Sequence, residues 1–206
     1  HTEITDAVNR FVLSSTSIGI LDKKDQIPAD KIQEGDSVYV SKYIGIEGTA
    51  ILAHDKEEEL KNVMTQEELD YAKGLLKWIS VQDDAKYAKN KDLSYMHDVT
   101  EGGLLGAVYE AYQGIKKGIE IVCENVPVLE VTKKICDYFN IKPFRLISSG
   151  SMLIISSDGS LEKKFEGSNI KLTKIGVVKG DEPIIITDGV SERILPPYAD
   201  ELYKVI

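Results

Sequence analysis

Two spacings of apolar residues alternate along the chain, and the switches between them predict its elements. In residues 37–42, Val38 and Val40 fall on one side of a two-residue repeat, which predicts a short strand. Runs rich in β-branched residues predict further strands over 9–21, 93–99, 119–124, 152–156 and 172–178. Residues 22–36 are charged, carry Pro28 and Gly35, and read as a linker or turn. Elsewhere the spacing is three to four. Leu69, Ala72, Leu76 and Ile79 form such a stripe, with Trp78 beside it, and predict an amphipathic helix. Thr65-Gln66-Glu67-Glu68 has the form of a capping box at its start, each side chain satisfying an orphan N–H of the other's backbone. Helices are also expected over 49–54, 57–63, 102–114 and 161–166, with a turn or two at 83–89. Pro127 reads as opening a helix to about Asn140. Asp188-Gly189 lies between apolar runs at 183–187 and 191–195, and both residues tolerate positive φ, so a tight hairpin is expected. Interleaved strands and helices that end in a hairpin predict an α+β (mixed α/β) fold, a sheet layered by helices.

Composition narrows the classes. The 206 residues are 42% hydrophobic and 29% charged, enough for one domain with its own core, or one domain plus a piece of another. The net charge is −9, from 25 basic and 34 acidic side chains. Such a surface repels phosphate backbones and anionic lipid, which weighs against nucleic-acid and membrane partners. No apolar run approaches the length of a membrane span, and no signal peptide opens the sequence. Cys123 and Cys136 have no metal-ligand spacing, and they read as buried thiols of a cytoplasmic protein. The sequence starts at His1 rather than Met, which reads as a fragment of a longer chain.

The densest chemistry is Met96-His97-Asp98-Val99-Thr100-Glu101-Gly102-Gly103, placed to open a helix. Asp98 suits a divalent cation or a helix cap, and Thr100 brings a hydroxyl. Gly102 and Gly103 allow close approach of backbone, and a helix start attracts anions. The residues alone leave two readings open, a phosphate-facing turn or a plain loop and cap. His97 reads as a core or supporting histidine, His54 as a helix-end surface residue, and Glu47 as a turn carboxylate.

The His97-Asp98-x-Thr100-x-Gly102-Gly103 run resembles a signature of the aminoimidazole ribonucleotide (AIR) synthetase superfamily. The segment from His1 to Arg10 and the run Gly45-Ile46-Glu47-Gly48-Thr49-Ala50 are similar to segments of its hydrogenase-maturation branch, in the same order. The resemblance implies two α/β domains, with residues 1–26 the end of an ATP-binding first domain and 27–206 the AIR-synthetase-like C-terminal domain. It implies that ATP activates a carbonyl or amide oxygen of a small-molecule substrate. Asp98 would bind Mg2+, and Thr100, Gly102 and Gly103 would lie beside the phosphates. Thr2 and Glu3 would reach the nucleotide from the junction, with Glu47, Ser148 and Ser149 in the cleft. The implied partners are the missing N-terminal half and a second copy of the chain, and the fragment alone would be inactive, with neither ATP nor Mg2+ bound. The sequence departs from the family at two points. Ser148-Ser149 stands where many relatives carry Asn-Glu, and no cysteine lies near the end, where the carbamoyl dehydratases need a thiol acceptor. The resemblance therefore leaves three readings: an ATP-dependent enzyme of unassigned substrate, a non-catalytic scaffold, or a carbamoyl dehydratase without its tail.

Overall fold

A computed structural model describes residues 13–23, 26–27, 31–89, 93–157 and 159–206. In chain order its elements are β1 (Ser37–Ser41), α1 (Ile46–Asp55), α2 (Glu57–Leu60), α3 (Gln66–Lys73), α4 (Gln82–Ala88), β2 (Leu93–Val99) and α5 (Gly103–Ile115). Then follow β3 (Ile119–Val122), α6 (Glu130–Phe139), β4 (Ser151–Ser156), α7 (Ser160–Glu166), β5 (Leu172–Val178), β6 (Pro183–Thr187) and β7 (Val190–Arg193). The seven strands make one sheet in the order β2-β4-β1-β5-β3-β6-β7. Only the β3–β6 pair is parallel among the described strands, so the fold is α+β, as the interleaving predicts.

The two-residue repeat decides which layer each side chain joins. Val38 and Val40 of β1, with Leu153 and Ile155 of β4, pack against Leu104, Val108 and Ala111 of α5. Tyr39, Met152 and Ile154 point the other way and meet Leu161 and Phe165 of α7. Both faces of the sheet centre are therefore covered, and β4 is buried along its whole length. A second core holds α1, α3 and α6 together through Leu52, Leu69, Ala72 and Ile135.

Several expectations hold in detail. The capping box at Thr65 has both of its hydrogen bonds. Asp188 and Gly189 have φ of 50° and 78° and join β6 to β7 as a two-residue turn. Others change. The stripe through Leu76 and Ile79 breaks because α3 ends at Lys73 and Gly74–Trp78 tightens into a 3-10 turn. Three residues per turn bring Leu75 inward, leaving Leu76 and Ile79 40% and 42% exposed. Pro127 does not open α6. Its carbonyl accepts the Ile44 N–H beside the Ile44–Val128 bridge, and the helix starts three residues later. Of the strand expected over 9–21, residues 9–12 lie outside the described residues. Residues 13–21 join no sheet, and Leu13, Ile18 and Ile20 are fully exposed. Strand propensity becomes a strand only with an edge to pair with.

Candidate functional site

β2 runs along one edge of the sheet and delivers His97, Asp98 and Thr100 to the start of α5. Between them the chain reverses through two residues at positive φ, Gly102 at 82° and Gly103 at 62°. The absence of a side chain matters most at Gly103. A Cβ there would lie 2.7 Å from the Phe144 carbonyl oxygen and 2.8 Å from that of Leu146. The partner that approaches this glycine is the protein's own backbone. Its N–H is donated to the Thr100 carbonyl at 3.1 Å.

The Gly102 N–H is also engaged, by a residue the motif does not contain. Asp200 is buried, and its Oδ2 accepts that N–H at 2.7 Å. Its Oδ1 accepts the N–H groups of Ile147 at 3.1 Å and Leu202 at 2.9 Å. A carboxylate thus takes the anion position that a helix start favours. The last residues hold it there: Arg145 donates to the Leu195 carbonyl at 2.8 Å, and Glu201 accepts the Lys142 N–H. The Glu101 carboxylate beside Tyr203 raises that phenol above its ordinary range. The sequence held one signal for Asp200, an Asp placed as N-cap of the turn Glu201–Lys204.

Ser148 joins the start of α1, at Gly45, to this helix start. Its hydroxyl accepts the Gly45 N–H at 2.7 Å, and its own N–H is donated to the Thr100 carbonyl at 3.3 Å. Next to it, the Ser149 N–H is donated to Glu47 Oε2 at 3.2 Å, and Gly48 donates to the Ile147 carbonyl. Hydrogen bonds thus bring Glu47, Ser148 and Ser149 next to Thr100, the residue that leads into Gly102 and Gly103. Thr2 and Glu3 lie outside the described residues.

His97 is half-buried, with Nε2 2.7 Å from Glu110 Oε2 on α5, so it ties strand to helix. Asp98 is 55% exposed, with Oδ1 3.7 Å from His97 Nδ1. No group of three or more metal-ligating side chains occurs among the described residues. The helix start opens to a cavity of about 350 Å³ whose lining includes Thr100, Gly102 and Tyr198. Its charged lining is acidic, Glu101, Glu110 and Asp200. Away from the site, Cys136 is buried and its thiol is pushed up to about 12, mainly by that burial, while Cys123 is half-buried. No described helix is long and apolar enough to cross a membrane.

Residues 33–189 match the family described as AIR synthase related protein, C-terminal domain. A Methanocaldococcus jannaschii protein described as a hydrogenase expression/formation protein is 26% identical over 216 residues, covering 99% of this chain and 61% of that one. The crystal structure of Escherichia coli HypE, a hydrogenase maturation protein, superposes with a TM-score of 0.68 at 19% identity, covering 88% of this chain and 56% of that one. A structure of HypE in complex with ATP superposes at 0.63 and 16% identity, covering 85% and 55%. The chain thus spans about three fifths of the length of these relatives.

Proposed function

The chain belongs to the AIR synthase related protein family through its C-terminal domain, and from that premise we propose that it supplies one wall of an ATP and Mg2+ site. The enzyme so formed activates a carbonyl or amide oxygen of a small-molecule substrate, with ATP supplying the phosphoryl group. The other wall belongs to a preceding domain of the same protein, and a second copy is the expected partner of that domain. The observation that carries this reading is the opening at the start of α5. Its lining includes Thr100 and three acidic residues, Glu101, Glu110 and Asp200. A polyphosphate enters such a place only with a divalent cation between the like charges. Asp98, exposed at the end of β2, is assigned to that cation or its water. Gly102 and Gly103 contribute shape, since both of their N–H groups are engaged within the chain. The resemblance also assigns Thr2 and Glu3, which lie outside the described residues, to the nucleotide.

Calorimetric titration with ATP, with and without Mg2+, tests the reading on two proteins. One includes the preceding domain and the other is residues 1–206. The longer protein is expected to bind MgATP, and the shorter one at least about ten-fold more weakly, roughly 1.4 kcal/mol. Asp98→Asn in the longer protein should reduce the Mg2+ dependence. If neither protein binds nucleotide, the reading is lost.

That outcome would leave a non-catalytic scaffold, which one observation favours. Asp200 already accepts the Gly102 N–H at the start of α5, which is then not offered to a phosphate. A carbamoyl dehydratase is the weakest of the three, because it needs an accessible thiol acceptor near the chain end; Cys136 is buried with its thiol held protonated, and Cys123 is half-buried at the end of β3.

A further inference from the structure

A second cavity, of about 420 Å³, shares no lining residue with the first, and its chemistry is opposite. Its inner wall is set by Lys42, which has a φ of 54°. The Lys42 ammonium is 2.9 Å from Asp84 Oδ2, and it donates to the carbonyls of Gly150 at 2.7 Å, Ser80 at 2.8 Å and Trp78 at 3.3 Å. Asp84 is almost wholly buried. This pair fastens the segment carrying Trp78 and Ser80 to the sheet, so the cavity exists before any ligand arrives.

Counting charges on its lining decides what it would take. Asp84 is neutralised by Lys42, and Asp83 by Lys86 at 2.8 Å. Lys77 and Lys171 also line the cavity, and neither has a carboxylate partner among the described residues. Two uncompensated ammonium groups thus face one concavity on a chain whose net charge is −9. The remaining walls include two aromatic rings, Tyr43 and Trp78. Lys171 Nζ stands 4.9 Å from the centre of the Tyr43 ring. Aromatic walls with a few charged groups at the rim are the ordinary make-up of a small-molecule site.

We propose that this cavity binds a small planar anion, an aryl phosphate or aryl carboxylate, with its ring against Tyr43 and Trp78 and its charge between Lys77 and Lys171. This rests on residues separate from those assigned to ATP, and it stands or falls independently of that assignment.

Trp78 is the sole tryptophan of the chain, so its emission reports on the cavity wall directly. The test titrates residues 1–206 with phenyl phosphate, using phenol as the ring-only control and inorganic phosphate as the anion-only control. Phenyl phosphate is expected to change the emission saturably, with an affinity at least about ten-fold above either control. The Lys77→Gln/Lys171→Gln double variant should weaken it about ten-fold or more. Both lysines are exposed, and an unchanged circular dichroism melt would confirm that the fold survives the change. Absence of a saturable response at millimolar phenyl phosphate overturns the proposal. So does an affinity that the double variant leaves unchanged, or one that phenol matches.

Discussion

At residue 103 a single methyl group would have to share space with two carbonyl oxygens, at 2.7 and 2.8 Å, on a backbone that side chains rarely adopt. Gly103→Ala is therefore expected to cost about 3 kcal/mol, combining the left-handed strain with overpacking against backbone. A fall in the urea midpoint with an unchanged slope would report it, and a midpoint equal to that of the parent would show that the Pro143–Arg145 turn yields. The sequence identified this glycine as a place of close approach, but not what approaches. The Phe144 and Leu146 carbonyls come from a segment whose nearness to α5 follows from the fold, not from any spacing. Asp200 offered at most the cap of its own turn, and its meeting with Gly102 spans 98 residues of chain, which no spacing announces. The resemblance singled out Ser148 and Glu47, whereas their partners, the Gly45 and Ser149 N–H groups, had to be observed.

Elements that answer to their own neighbours were read well. The box at Thr65 and the turn at Asp188-Gly189 each involve no more than four consecutive residues, and local chemistry decides them. Thr65→Ala should remove the Glu68 N–H bond at the start of α3 and cost about 1 kcal/mol, measured by thermal unfolding. A change near zero would mean that the Glu68 contacts with Lys134 hold the helix end unaided. Elements whose limits depend on distant packing were read less well. The end of α3 at Lys73 reflects the burial of Leu75 in the core of α1 and α6, which no stripe within the helix announces. Pro127 accepts the Ile44 N–H and precedes Val128, which bridges Ile44 in parallel, so its fixed φ serves extended backbone instead of a helix start.

At the scale of the molecule, interleaved periodicities gave the α+β class, but not the order of the strands. β2 pairs with β4 and β1 lies between β4 and β5, pairings that join residues far apart in the chain. The result places β2 on an edge, with the candidate site at its end. The Lys42 ammonium, ringed by three carbonyls and a carboxylate, has a kinetic consequence. An acylating reagent can modify that amine only when the ring of oxygens comes apart. Under dilute acetic anhydride, Lys42 should therefore be acetylated at least about ten-fold more slowly than Lys77 or Lys171, as read by peptide mass spectrometry. Its rate should climb with urea ahead of or together with global unfolding, which would make one amine a clock for the opening of the Trp78–Asp84 segment. Equal acetylation of the three lysines in buffer would mean that the segment is already loose in the native protein.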